Sequence, residues 1–359
     1  MMAQIRRVLT SSWLNVLLVA VPLSWIAAAQ QAPLWVFLLS ALSLIPAAGL
    51  IGRATEDLAC HTGPTIGGLL NATFGNAAEL IIALAALRAQ HVEVVKASIT
   101  GSIIGNLLLV FGGSCLVGGL RHGTQRFSRV AASSSTTMLV LAVAALVMPA
   151  VVDLFAFGSL HAQPRVIDRL SMWTAVVLLL VYAAGLVFSF KTHRDPLRPA
   201  GHGPANMTTA SAITLLALAT LLTTVEAEML VGALEPALHM FGMTELFAGV
   251  VVVALVGNVA EHYSAISASS SDQMTLALEI SVGSSAQIAL MVAPLLVLLS
   301  PLFGRPMSLV FDAFEIAAIG LSVGTVTLVA IDGESNWLEG LQLLALYLML
   351  AAAFYLIPA

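Results

Sequence analysis

Charge is what this sequence has least of: charged residues make up only 9% of its 359 positions, whereas 59% are hydrophobic. Ordinary soluble domains carry about 25% charged residues. A chain with so little charge cannot cover a water-exposed surface, so the composition excludes a soluble protein and indicates that lipid is the solvent.

Cysteine is scarce as well, and basic residues form no cluster. Cys60 and Cys115 lie in or beside different apolar segments, and neither belongs to a Cys-x-x-Cys or Cys/His group. The sequence therefore predicts neither a disulfide framework nor a thiolate metal site. The net charge is −5 and the basic residues are scattered, so nucleic acid is not expected as a partner.

Apolar segments fill almost the whole chain. A helix needs about 20 apolar residues to cross a bilayer, and backbone polar groups cannot stay unpaired in hydrocarbon, so such spans predict helices. We expect an all-α polytopic membrane protein with about 11 transmembrane helices. The spans are residues 11–29, 33–59, 63–89, 92–120, 129–152, 167–190, 209–235, 244–271, 274–300, 311–331 and 336–357.

The first span has two interpretations. MMAQIRR and the apolar stretch that ends in three alanines at 27–29 resemble a signal peptide, and the alternative is a retained first helix. Basic residues favour the cytoplasmic side, which predicts a cytoplasmic N-terminus. Four basic residues then fall outside: Arg88, Arg165, Arg169 and Arg305. Nine fall inside: Arg6, Arg7, Arg53, Arg121, Arg126, Arg129, Lys191, Arg194 and Arg198.

The chain divides at KTHRDPLRPAGHGPAN, a stretch rich in Pro, Gly and His that is typical of a solvated linker. The predicted organisation is one helix followed by two sets of five. Its parts are an N-terminal helix or signal-like segment, a first five-helix repeat, a cytoplasmic linker and a second five-helix repeat, at residues 1–32, 33–190, 191–208 and 209–359.

The two halves carry the same signature. Placing residue n opposite residue n + 182 aligns GNAAELIIAL at 75–84 with GNVAEHYSAI at 257–266, and a Gly-Ser pair follows at the same distance in both. Chance similarity between apolar helices does not explain these polar matches. The copies lie on spans three and eight, five crossings apart, so they enter the membrane from opposite sides. Two inverted-topology repeats are typical of secondary transporters, which bind substrate near the midplane.

Each signature places an amide and a carboxylate three residues apart on one helix face: Asn76 with Glu79, and Asn258 with Glu261. Hydrogen bonding between helices is the ordinary explanation for a lone polar residue in a span. A carboxylate inside the membrane is unfavourable, however, and two symmetric sets indicate a functional site.

Small and polar residues accompany both pairs. Gly75 and Gly257 precede the amides, and each predicts a helix break that turns carbonyl groups toward a cavity. On the following spans, Ser102, Ser284 and Gln287 add hydroxyl and amide oxygens.

These groups suit a hard divalent cation. Two glutamates supply up to four oxygens, and amides, carbonyls and water supply the rest of the six to eight that Ca²⁺ prefers. Loss of water favours the protonated form of a carboxyl group, while a bound cation favours the ionised form. Because two protons or one Ca²⁺ would each neutralise the pair, competition between them predicts exchange.

GNAAELIIALAAL, VVKASITGSIIGNLLLVFG and GNVAEH…SVGSSAQIALMVAPLLV resemble the two repeats of the cation/proton exchanger family, the Ca²⁺/H⁺ antiporters of the Ca²⁺/cation antiporter superfamily. The resemblance implies Ca²⁺ export driven by protons moving inward, by alternating access, and a one-plus-five-plus-five arrangement. It implies that the cation is held by Glu79, Glu261, Asn76, Asn258, Ser102, Ser284, Gln287 and Asn106. It also implies proton coupling at Glu79 and Glu261, with a proton or gating role for Glu228 and Glu235.

The resemblance further implies the surroundings of the protein. No cofactor is expected beyond the transported Ca²⁺ and protons, and membrane lipid is the expected environment. The inner (plasma) membrane of a prokaryote is the expected location. The sequence assigns no oligomeric state.

Two other functions stay open. The same fold could carry Na⁺, K⁺, Mn²⁺ or Mg²⁺ instead, and SSSDQM at 269–274, where the family usually has a basic turn, leaves ion preference open. A remote alternative is an intramembrane serine hydrolase built on Ser284, Ser285 and His262. No Gly-x-Ser-x-Gly or His-Glu-x-x-His motif accompanies these residues, so an enzyme is not expected.

Overall fold

Helices make up nearly all of the regular structure in this computed structural model, which describes residues 2–9, 12–159, 164–188 and 206–357. The helices are α1 (Met2–Leu9), α2 (Trp13–Ala29), α3 (Pro33–Phe74), α4 (Ala77–Arg88), α5 (Val92–His122), α6 (Arg129–Phe157), α7 (Pro164–Val187), α8 (Thr209–Gly232), α9 (Leu234–Phe241), α10 (Glu245–Ser270), α11 (Met274–Phe303), α12 (Ala313–Ala330) and α13 (Trp337–Leu356). Two short strands, β1 (Gln125–Arg126) and β2 (Glu334–Ser335), pair antiparallel.

Within the described residues, nine helices are long and apolar enough to cross a membrane. The expectation of an all-α polytopic membrane protein is therefore confirmed. Two predicted spans differ from the nine: the first is the shorter helix Trp13–Ala29, and the third is divided between the end of α3 and α4. The count of eleven stays a prediction. Apart from 206–208, the predicted linker at 191–208 lies outside the described residues.

α3 departs most from the predicted spans. A boundary is expected between residues 59 and 63, yet the helix runs unbroken over Pro33–Phe74. The polar side chains there do not end the helix, because the Thr62 hydroxyl donates back to the Leu58 carbonyl at 3.2 Å. In the second half the corresponding boundary exists, since Gly242 adopts a left-handed conformation (φ 62°) that ends α9.

The first predicted span is bonded to the second half of the chain. Glu226 on α8 is fully buried, and its carboxylate accepts hydrogen bonds from Trp25 Nε1 at 2.9 Å and from Ser24 Oγ at 3.0 Å. These donors offset part of the cost of holding a carboxylate in an apolar bundle. These bonds pack α2 against α8, and its retention as a first helix stays a prediction.

Loops that the predicted topology places on the same side of the membrane contact each other. At the predicted cytoplasmic end, Gln125 on β1 donates through Nε2 to Asp272 Oδ1 at 2.8 Å. At the other end, Gln90 Nε2 donates to the Phe303 carbonyl at 2.9 Å. Gln90 and Asp272 are equivalent in the two repeats, and both have positive φ, 71° and 59°. The turn that follows each signature, at Gln90 or Asp272, is therefore hydrogen-bonded to the other half of the chain. The two contacts lie at opposite ends of the molecule.

α5 and α10 approach each other closely through reciprocal glycines. A side chain at Gly101 would run into the backbone of Val250, and one at Gly249 would run into Ala97. Small residues allow this kind of backbone approach between membrane helices. The contact brings the polar residues of α5 against the second signature on α10.

Candidate functional site

The signature of the first half lies at a helix break. α3 ends before Gly75 and α4 begins two residues later, as predicted. The Gly75 N–H donates to the Asn71 carbonyl at 2.8 Å, and a Cβ at Gly75 would lie only 2.6 Å from that oxygen. Asn76 is the N-cap residue of α4, and Glu79 lies in the first turn. A helix N-terminus stabilises a carboxylate there.

The signature of the second half lies inside a helix, so the break predicted at Gly257 is wrong. α10 continues to Ser270, and Asn258 Nδ2 donates to the Ala254 carbonyl at 2.8 Å, within the same helix. Gly257 instead lies beside the side chain of Glu79. A Cβ at this position would lie 3.5 Å from Glu79 Cγ. Glu79 therefore extends over Gly257 at a distance that would still accommodate a methyl group.

The two predicted acids converge in the structure. Glu79 reaches α10 at Gly257, about one helical turn before Glu261, and the two carboxyl groups are close enough to interact electrostatically. Because one acid comes from each repeat, the pair lies between the two halves of the chain.

A hydrogen-bond network from three helices surrounds Glu261. Ser284 Oγ on α11 donates to Oε1 at 2.8 Å, and Asn106 Nδ2 on α5 lies 3.5 Å from Oε2. Asn106 Nδ2 also donates to Asn258 Oδ1 at 3.3 Å, and Asn258 Nδ2 donates to Ser102 Oγ at 2.9 Å. These contacts bring together five of the eight predicted ligands.

The remaining amides meet beside Glu79. Asn76 Nδ2 on the α4 N-cap donates to Gln287 Oε1 on α11 at 2.6 Å. This bond joins the first repeat to the second. All eight predicted ligands thus belong to one region where α4, α5, α10 and α11 meet.

Oxygen acceptors are in excess over donors in this region. Asn76 Oδ1, Glu79 Oε2 and Asn106 Oδ1 are buried and accept no hydrogen bond. Buried polar atoms are rarely left unpaired, and a cation satisfies acceptors that lack a donor. In the described ranges, no three His, Cys, Asp or Glu side chains gather into a metal-binding group. A cation here would therefore need the amide and hydroxyl oxygens as well as the two carboxylates.

Glu228 and Glu235, assigned to proton coupling from the resemblance, are not brought to this pair. Glu228 Oε1 pairs with Arg88 Nη1 at 2.8 Å, and both side chains are largely exposed. Arg88 ends α4 whereas Glu79 begins it, about 14 Å away along the helix axis. Glu235 is exposed in the first turn of α9. The geometry gives the two acids no contact with the paired glutamates.

The contacts of Ser284 and Ser285 do not support the hydrolase alternative. Ser284 Oγ donates to Glu261, and Ser285 Oγ donates to the Ser281 carbonyl at 3.0 Å. Nε2 of His262 is buried without a hydrogen-bond partner. Neither hydroxyl is therefore bonded to the imidazole that would have to activate it.

Known proteins resemble this chain over nearly its whole length. A family model described as sodium/calcium exchanger protein matches residues 32–191 and 211–356. The chain is 41% identical to a Ca²⁺/H⁺ antiporter of Synechocystis, over 96% of this chain and 97% of that protein. It is 38% identical to a vacuolar calcium ion transporter of Schizosaccharomyces pombe, over 98% and 87% of the two chains. A solved structure of native YfkE is 38% identical with a TM-score of 0.84, covering 96% of this chain and 100% of that one.

Proposed function

This chain belongs to the sodium/calcium exchanger protein family, and we propose that it exchanges Ca²⁺ for protons across a membrane. The relative from Synechocystis that matches nearly the whole chain is named a Ca²⁺/H⁺ antiporter. In the proposed mechanism, Glu79 and Glu261 bind either Ca²⁺ or protons. The observation that carries the proposal is the convergence of the two acids in a region where Glu79 Oε2, Asn76 Oδ1 and Asn106 Oδ1 are buried and accept no hydrogen bond.

Charge balance supports competition between the two ions. Two adjacent carboxylates in a low-dielectric site repel each other and are costly to keep ionised together. One Ca²⁺ or two protons removes that charge. A carrier that changes readily between its two open conformations only when the site is neutral would exchange the ions instead of leaking either one.

The asymmetry of the two halves supports alternating access. The first repeat is interrupted at its signature, whereas the second is interrupted before its signature, at Gly242. In an inverted pair, the two repeats can exchange such conformations, which would open the site first to one side and then to the other. Residues of both halves line the site, so such an exchange would move its ligands as well.

Transport by matched variants tests the proposal. Radioactive Ca²⁺ uptake into everted membrane vesicles under an imposed pH gradient is compared for the wild type, Glu79→Gln and Glu261→Gln. Glu339→Gln is the control, because the Glu339 carboxylate caps α13 by accepting the Asn336 N–H at 3.1 Å, a role that glutamine also fills. We expect uptake to be lost in both site variants and kept in the control. Full uptake after neutralising either acid would refute the assigned site.

Ion preference is tested in the same vesicles. Uptake of Ca²⁺ is measured with Na⁺, K⁺, Mn²⁺ or Mg²⁺ as competitors. We expect Ca²⁺ to be preferred, and stronger transport of another cation would favour the alternative antiporter.

The membrane that holds the protein is also a proposal. We place it in the plasma membrane of a prokaryote, with the N-terminus in the cytoplasm. The relative from Schizosaccharomyces pombe is named vacuolar, so membrane fractionation is the direct test.

A further inference from the structure

A buried contact lies on the side of α5 that faces away from the paired acids. Thr100 Oγ1 donates to Glu315 Oε1 on α12 at 2.7 Å, and both residues are almost fully buried. The other carboxylate oxygen of Glu315 accepts the Asp312 N–H at 3.0 Å, as part of a capping box at the start of α12. Both oxygens are engaged, so the carboxylate links α5 to a helix N-terminus.

Thr100 and the ligand Ser102 lie on nearly opposite faces of α5. Each residue of an α-helix turns the chain by about 100°, so two residues correspond to about 200°. Ser102 Oγ accepts from Asn258 Nδ2 on one face while Thr100 donates to Glu315 on the other. A rotation of α5 about its axis would break both contacts together.

Backbone packing and one directed hydrogen bond both constrain this part of α5. Between the two polar residues, Gly101 sits directly against the backbone of Val250. This contact sets the distance between α5 and α10, but a glycine has no side chain to fix the angle of the helix. The Thr100–Glu315 bond adds a directional constraint on that angle to the packing of the neighbouring buried side chains.

We propose that Glu315 is a positioning residue of the cation site, which fixes the rotation of α5 through Thr100. The inference rests on the proposed function, because the group it orients is the proposed ligand Ser102. With α5 held at this angle, Ser102 meets Asn258 and Asn106 lies between Asn258 and Glu261. Glu315 itself touches no proposed ligand in its hydrogen bonds.

The second half has no such arrangement. The positions equivalent to Thr100 and Glu315 are Val282 and Ser133, which cannot form this bond. Ser284, the counterpart of Ser102, instead donates directly to Glu261 at 2.8 Å. Ser102 is linked to Glu261 only through Asn258 and Asn106, so its position depends more on the angle of its own helix.

Replacing Thr100 by valine removes the donor while keeping the shape of the side chain. For Thr100→Val we expect the KM for Ca²⁺ in vesicle transport to rise about three- to tenfold, with the maximal rate within about twofold. Thr100→Ser, which restores a hydroxyl, should bring KM back to the wild-type value. Thr325→Val is the matched control, since the Thr325 hydroxyl donates only to the Leu321 carbonyl of its own helix at 2.8 Å.

A double-mutant cycle with Ser102→Ala separates positioning from a general packing role. If Thr100 acts through Ser102, Thr100→Val should add no more than about twofold to the KM of Ser102→Ala. Full additivity, or a wild-type KM in Thr100→Val, would overturn the proposal. Either outcome leaves the proposed function standing as long as Glu79→Gln and Glu261→Gln abolish transport.

Two substitutions of Glu315, to glutamine and to leucine, provide a second test. In Glu315→Gln the amide oxygen can still accept from Thr100, so we expect a smaller rise in KM than for Glu315→Leu, which removes the acceptor. Equal amounts of each variant in the membrane show that folding is intact. The same KM in Glu315→Leu as in the wild type would contradict the inference even if Thr100→Val behaved as expected.

Discussion

The two signatures share a Gly-Asn-x-Ala-Glu pattern but adopt different backbones. In the first half, α3 continues through the expected boundary and is interrupted at Gly75. In the second half the interruption comes earlier, at Gly242, and the helix passes through Gly257 unbroken. The same residues therefore serve as a break in one repeat and as part of a continuous helix in the other. A local motif places the acid on the chain, while the flanking segments decide where the helix is interrupted.

Neutralising one acid at a time tests whether the two halves contribute equally to the site. Each half contributes one glutamate to the pair, so Glu79→Gln and Glu261→Gln should lower Ca²⁺ uptake alike, each by about 100-fold or more. Initial rates of radioactive Ca²⁺ uptake measure the effect. A large loss in one variant and a small loss in the other would mean that the halves do not share the site equally.

Acidification should weaken Ca²⁺ binding. Each of the two acids should account for half of the change in log affinity per pH unit. Protons compete with Ca²⁺ for both carboxylates, so lowering pH reduces affinity by up to about 100-fold per pH unit where both titrate. With a single acid left, in Glu79→Gln or Glu261→Gln, the limit falls to about tenfold per unit. Calorimetric titration of purified protein at several pH values measures this, and pH-independent binding would exclude competition.

The glycines of the two signatures should respond differently to the same substitution. A Cβ at Gly75 meets the Asn71 carbonyl oxygen at 2.6 Å, whereas a Cβ at Gly257 meets Glu79 Cγ at an ordinary 3.5 Å. We expect Gly75→Ala to reduce transport about tenfold and Gly257→Ala by about twofold or less. Equal effects would mean that both glycines serve the same purpose.

The exposed ion pair between Arg88 and Glu228 should matter least. Its side chains are 71% and 51% exposed, and such pairs contribute about 0–1 kcal/mol. The positions equivalent to Arg88 and Glu228 by the repeat, Ser270 and Pro46, cannot form an ion pair. For Glu228→Gln we expect transport within about threefold of the wild type and an unchanged pH profile. A shifted pH profile would restore the proton-coupling role assigned to Glu228 from the resemblance.

Much of the site was predictable because its members carry strong individual signals. A glutamate and an asparagine in an apolar span are unusual enough to be noticed, and the second copy confirms that the pattern is not accidental. Ser102 and Ser284 follow at the same distance in both repeats, and the structure places them, with Asn106 and Gln287, beside the two glutamates and their asparagines.

Other features had no comparable signal. Gly257 looked like a second Gly75, because a single sequence does not show which atom occupies the space beside a glycine. The bond between Thr100 and Glu315 joins residues 215 positions apart, and only the Asp-x-x-Glu capping pattern at 312–315 hinted that the carboxylate begins a helix. The role of Glu228 stays a prediction, since a family position was carried over without knowledge of its neighbour Arg88.

The sequence by itself predicted the membrane environment, the helical class, the inverted repeat and the two glutamates proposed as the paired acids. Each of these depends on hydropathy, periodicity or the recurrence of residues along one chain, which are local or countable properties. Tertiary structure alone decided where each half is interrupted, that Glu79 extends over Gly257, and how the amides pair across the halves. Those outcomes depend on which surfaces meet between segments roughly 150 to 215 residues apart, and packing between distant helices leaves no pattern in either segment alone.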